Sequence, residues 1–181
     1  MRHSKVANRY AVALFQLAVE HNQVDKMEAD LRLVNEVFST SSELVSILST
    51  PKIHMTKKRE LIVTNFSSLS PFVVNTLLLL VERHRSNEIV PMTSQFIQYA
   101  NELKGIAEAK VISTRLLTEE EKLALSETFA KKVNKISLQI ENQVDTDLLG
   151  GLKIQIGNRI FDGSLRGKLD RLKHELIGYQ S

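Results

Sequence analysis

The stretch from Leu138 to Leu172 restricts the possible folds of this chain more than any other. Apolar residues alternate at Leu138 and Ile140 and again at Leu152, Ile154 and Ile156, the period of a strand with one buried face. Gly150, Gly151, Gly157, Gly163 and Gly167 punctuate the pattern, at places where a tight turn or a close backbone approach is expected. Gly157-Asn158 predicts a two-residue hairpin loop leading into Arg159-Ile160-Phe161. Asp162-Gly163-Ser164-Leu165 then ends the strand, with Ser164 as a helix N-cap. A last helix is predicted over 164–178, with Leu165, Leu169, Leu172 and Leu176 on one face.

Upstream, a β-prone run at 108–115 precedes Thr118-Glu119-Glu120-Glu121. The Thr118 hydroxyl can accept a backbone N–H of the next turn while Glu121 reaches back, a capping box that opens a helix over 119–132. Period-two stretches follow at 135–144 and 151–156. Residues 106–181 therefore read as a small α+β domain.

Before this the pattern is helical. Spans near 4–21, 24–38, 42–49, 56–66, 71–84 and 89–104 are separated at Ser39-Thr40-Ser41-Ser42, at Pro51 and at Ser67-Ser68-Leu69-Ser70-Pro71. The expected fold class is α+β: an all-α six-helix bundle over 1–105, followed by the small α+β domain over 106–181.

Composition narrows the function. A content of 43% hydrophobic and 25% charged residues fits neither a disordered chain nor a collagen-like one. Cysteine is absent, which removes disulfides and thiolate metal sites and suits a reducing compartment. The N-terminus lacks an apolar signal core, so no secretion signal is expected. The longest apolar run, Val73 to Val81, is broken by Asn75 and Thr76 and falls short of the about 20 residues a bilayer requires.

A net charge of +3 invites a nucleic-acid reading. Residues 1–105 hold twelve Lys/Arg against ten Asp/Glu, and residues 106–181 hold twelve against eleven, so neither part is a basic module. Lys57-Lys58-Arg59, Arg83-His84-Arg85 and Lys131-Lys132 sit among acids, without the interleaved aromatic residues that base stacking uses. They read as solvated helix surface.

Two helices carry more apolar surface than a peripheral helix buries. The first sets Val6, Ala7, Tyr10, Ala11, Leu14, Phe15, Leu17 and Ala18 around about half its circumference. In the helix that begins at Pro71, Phe72, Val73, Val74 and Leu77 through Val81 surround the axis, so it is expected to be covered on every side. Either both lie at the bundle centre, or a groove between them is completed by an apolar helix of another protein, with Tyr10, Ala13, Leu17 and Leu79 exposed to it.

Chemistry is sparse. There is no phosphate loop and no dinucleotide fingerprint. His3, His21, His54, His84 and His174 are scattered without ligand spacing. Asp145 and Asp147 stand beside a turn with no third group. No catalytic, cofactor-binding or metal-binding residue is expected.

One arrangement is specific. Leu138-x-Ile140-x-x-x-Val144-Asp145-x-x-Leu148-x-Gly150-Gly151-Leu152-x-Ile154-Gln155-x-Gly157, continued by Asp162-Gly163-Ser164-Leu165-Arg166-Gly167-Lys168-Leu169, resembles the signature of the delta subunit family of F-type ATP synthases, which includes the oligomycin-sensitivity-conferring protein. Arg9-Tyr10-Ala11-Val12-Ala13-Leu14-Phe15 is a second, weaker match.

The resemblance implies a non-catalytic stator subunit that links the catalytic head to the peripheral stalk and resists rotation. The helical bundle would bind the head, taking the N-terminal helix of an alpha subunit between its first and fifth helices. Val6, Tyr10, Ala13, Leu17 and Leu79 are then the candidate contacts. The C-terminal domain would bind the b subunit of the stalk, with Gly150, Gly151, Gly157, Asp162, Gly163 and Gly167 as structural motif residues. Membrane association, on the cytoplasmic face of a bacterial cell membrane, would come only through the complex. The alternative is a nucleic-acid-binding adaptor, whose binding would weaken steeply with salt.

Overall fold

The computed structural model describes residues 4–169. It divides into two units, Met1–Asn101 and Glu102–Ser181, and the chain is α+β. The first unit holds α1 (Lys5–Glu20), α2 (Val24–Thr40), α3 (Ser42–Ser49), α4 (Met55–Phe66), α5 (Pro71–Glu82), a 3-10 turn (Ser86–Glu88) and most of α6 (Ile89–Leu103).

Local chemistry sets the helix ends. The Ser4 and Ser41 hydroxyls accept from the backbone N–H groups of Ala7 and Leu44, and Pro71, which needs no N–H at a first helical position, opens α5. Asn22 and His84 adopt left-handed backbone at φ 53 and 55. The N–H groups of Gln23 and Arg85 then fold back onto the carbonyls of Ala18 and Leu80, which stops α1 and α5. The helix predicted to run through His84 therefore ends at Glu82, and the unpredicted 3-10 turn follows. Conversely, α2 continues through Ser39 and Thr40, where a break was expected.

The core of this unit takes Ala7, Ala11, Leu14 and Ala18 from α1, with Val73, Leu77, Leu80 and Val81 from α5. Phe15 meets Phe96 of α6 edge-on at 5.7 Å, and the Tyr99 hydroxyl donates to Asn8 Oδ1 at 2.6 Å. Two of the buried polar residues tie elements together. Lys58 of α4 donates its Nζ proton to the Leu48 carbonyl at 2.7 Å, satisfying a late acceptor of α3. Asp30 of α2 accepts the Ser70 N–H at the start of α5.

The second unit is built on β1 (Ile106–Ser113), α7 (Glu119–Lys132), β2 (Ser137–Val144), β3 (Leu152–Ile156) and β4 (Arg159–Asp162). The sheet order is β2-β1-β3-β4. β1 and β2 run parallel, with Ile106 opposite Ser137, and α7 makes the crossover between them. β3 is antiparallel to both β1 and β4.

Ala109, Val111, Leu138, Ile154 and Ile156 form a buried face with Ala130 of α7, and Phe129 packs edge-on to Phe161 at 5.2 Å. On alternate positions Glu108, Gln139, Glu141 and Gln155 are exposed, as the pleat requires. Asn142 ties the parallel pair to the following loop. Its amide donates to Ser113 Oγ at 2.7 Å and the Val111 carbonyl at 3.1 Å, and its Oδ1 accepts the Leu117 N–H at 2.8 Å.

Both bonds of the capping box at Thr118 are present. Glu121 is further gripped by both terminal nitrogens of Arg115, at 2.6 and 2.9 Å. The hydrogen bond from Arg115, and after it the Thr118 N–H, hold its carboxyl at about 2, well below the ordinary range. The last helix is present over 165–169; Leu172 and Leu176, also placed on its face, lie outside the described residues.

Candidate functional site

Two contacts fix how α1 and α5 run. Arg85, just past the end of α5, places Nη1 3.5 Å from the Tyr10 hydroxyl in the first half of α1. His21, just past the end of α1, stacks on Phe72 at the beginning of α5 at 4.8 Å. The helices are therefore antiparallel neighbours.

Val6, Tyr10, Ala13 and Leu17 stand at i, i+4, i+7 and i+11, which gathers them on one face of α1. This face lies beside the one that carries Ala7, Ala11, Leu14 and Ala18 into the core. Val6 and Tyr10 are half-buried, Ala13 is exposed, and Leu17 retains 37% of its surface. On α5, Val73, Leu77, Leu80 and Val81 are buried, whereas Leu79 is 41% exposed. The fold itself buries one broad arc of α5 and leaves Leu79 exposed, one turn short of Arg83, so α5 does not lie wholly inside the bundle. Ala13 is the smallest side chain of its stripe on α1, and a methyl group there lets another helix come close.

Arg85, His21 and Phe72 link the two helices, a role the sequence did not give them. Arg83-His84-Arg85 was visible as a cluster, but nothing in its spacing said that Arg85 would reach Tyr10.

A second constellation is the glycine-rich turn. Gly150 and Gly151 have φ 143 and 82, values that side-chain-bearing residues rarely adopt. A Cβ on Gly151 would stand 2.5 Å from the Gly163 carbonyl oxygen and 2.9 Å from Ser164 Cα. The two loops therefore touch backbone to backbone. Around them the Leu165 N–H donates to the Gly150 carbonyl and the Gly163 N–H to that of Leu152, both at 3.0 Å. Asp162 Oδ1 accepts from the hydroxyl and N–H of Ser164, whose Oγ accepts the Gly167 N–H at 3.1 Å. Ser164 is buried and occupied as an N-cap, and these residues hold the end of the sheet to the start of the last helix. Gly157, at φ 55, forms the two-residue loop between Ile156 and Arg159.

Among the described residues no three His, Asp or Glu side chains gather to hold a metal, and no described helix is long and apolar enough to cross a membrane.

Comparison with known proteins finds matches over nearly the whole length of the chain. A family described as ATP synthase delta (OSCP) subunit matches residues 6–176. The ATP synthase subunit delta of Geobacillus sp. (strain WCH70) is 50% identical over 173 residues, 96% of this chain and 97% of that protein. The subunit of the same name from Priestia megaterium is 44% identical over 181 residues and covers 100% of both. In fold, the chain is similar to one in the cryo-EM structure of the Toxoplasma gondii mitochondrial ATP synthase hexamer, with a TM-score of 0.71 at 19% identity, covering 96% of this chain and 98% of that one.

Proposed function

This chain belongs to the ATP synthase delta (OSCP) subunit family, a non-catalytic subunit of the F-type enzyme, and from that premise we propose how its two parts serve the stator. The N-terminal part, 1–105, acts as a six-helix bundle seated on the catalytic head. Its α1/α5 face receives the N-terminal helix of an alpha subunit, with Val6, Tyr10, Ala13, Leu17 and Leu79 in contact. The C-terminal part, 106–181, binds the b subunit of the peripheral stalk. In a bacterial cell the subunit then lies peripherally at the cytoplasmic face of the membrane, held there only by the complex.

The observation that carries this reading is the apolar surface that α1 and α5 leave uncovered at Ala13, Leu17 and Leu79. Such side chains gain by leaving water, about 25 cal/mol per Å², and a bound helix supplies the cover. The mechanical demand points the same way. A turning central shaft drives chemistry in the catalytic ring only if that ring is held still, so the link must survive every turnover. Nanomolar affinity, about 12 kcal/mol, is the scale required.

The test is a pull-down of the catalytic head, detached from the membrane and the stalk, with the tagged full chain, followed by ATP hydrolysis in the recovered material. Activity is expected with the wild-type chain and is expected to vanish with Ala13→Trp, which fills the groove. Equal recovery with Ala13→Trp would overturn the groove assignment.

A further inference from the structure

The α1/α5 face is electrically lopsided. Arg9 precedes Ala13 by one turn of α1, and Arg83 follows Leu79 by one turn past α5. Because the helices are antiparallel, Arg9 and Arg83 stand at the same end of the pair, where Arg85 also sits against the Tyr10 hydroxyl at 3.5 Å. All three arginines are exposed. Of the acids at this end, Glu82 is engaged by Arg59 at 3.1 Å, and Glu88 is half-buried in the 3-10 turn. At the opposite end the last turn of α1 contains no basic residue and carries Glu20, and the first turn of α5 is uncharged.

An apolar stripe alone does not tell a docking helix which way round to lie, since hydrophobic contact is non-directional. Charge does, by fixing orientation and register. We propose that the helix received on this face carries acidic side chains at one end of its apolar stripe, and that this end lies over Arg9, Arg83 and Arg85. The inference rests on the groove reading above and adds the polarity of the bound helix.

The absence of cysteine makes the polarity directly measurable. Single variants Val6→Cys and Glu20→Cys of the full chain mark the two ends. The probe is a synthetic peptide of the alpha subunit's N-terminal segment from the same synthase, with one cysteine at the acid-bearing end of its apolar stripe. Oxidative cross-linking is expected with Val6→Cys and not with Glu20→Cys. The reverse pattern, or a segment with no acid at either end of its stripe, overturns the proposal and leaves the groove standing. Cross-linking at neither end, together with no binding by fluorescence anisotropy, removes the groove reading and this inference with it.

A second measurement separates charge from packing. The double variant Arg9→Gln/Arg83→Gln should weaken peptide binding about threefold to tenfold at about 20 mM salt and much less at about 500 mM. Ala13→Trp should abolish binding at both. Unchanged affinity of the double variant at low salt overturns the role assigned to the arginines.

Discussion

The Asp30 carboxylate of α2 accepts the backbone N–H of Ser70 at 2.7 Å, forty positions along the chain. The Ser70 side chain makes no cap to α5, and both residues are buried. Asp30 therefore holds the entry to α5 and places negative charge near the positive end of its dipole. Asp30→Ala should lower stability by about 1–3 kcal/mol, the cost of a buried donor left unmatched. Asp30→Asn, which keeps an acceptor oxygen, should cost less. Urea titration followed by helical circular dichroism measures both, and indistinguishable midpoints for wild type and Asp30→Ala would remove this role.

Gly151 and Gly157 both have positive φ, but only Gly151 is crowded: nothing lies within 4 Å of a Cβ built on Gly157. Gly157→Ala should therefore carry the backbone penalty alone, about 1 kcal/mol. Gly151→Ala must also push back the Gly163 carbonyl, and should cost clearly more. Hydrogen exchange at the Gly163 and Leu165 amides reports the difference. Protection equal in the two variants would contradict the close approach.

The low carboxyl of Glu121 predicts an acid-labile helix start. A depressed acid stabilises the fold fully above its unfolded value of about 4.3, and that contribution is lost as pH falls through the folded value of about 2. An NMR titration of the Glu121 side chain should show a midpoint near 2. Arg115→Gln should move it upward, because the Arg115 hydrogen bond is the largest cause of the shift. A midpoint in the ordinary range for the wild-type chain would show that the pair is open in solution.

Leu79 separates binding from folding. Because it is already 41% exposed, Leu79→Ser should change stability by no more than about 0.5 kcal/mol. The same change should weaken binding to the catalytic head by about tenfold or more, the loss of one apolar side chain from an interface. Calorimetry of the free chain and a binding isotherm with the head give the two numbers. A large loss of stability would place Leu79 in the core instead.

Periodicity made the elements legible, because each apolar spacing reports one buried face. It did not report neighbours. The alternation at Leu138 and Ile140 says which way those side chains point, but not that β2 lies parallel to β1 instead of pairing with β3. Likewise the spacing of Val6, Tyr10, Ala13 and Leu17 marks one helical face, whereas the adjacency of α1 and α5 came from the family resemblance. The uniform apolarity of α5 hid which side would stay open. Left-handed caps at Asn22 and His84 escaped notice because neither is glycine, and the Asp30–Ser70 bond is a long-range match with no local trace.

The strand order has a consequence for how the chain is made on the ribosome. β1 is the earliest strand synthesised, yet it lies inside the sheet, flanked by β2 and β3. Neither flank exists until later codons are read, so newborn β1 must wait in the exit region with both edges open. Non-local pairing of this kind is slow and prone to sticking. The helices before it need nothing made after Leu103, so a nascent polypeptide halted before Leu152 would have one part able to mature and another exposed to aggregation.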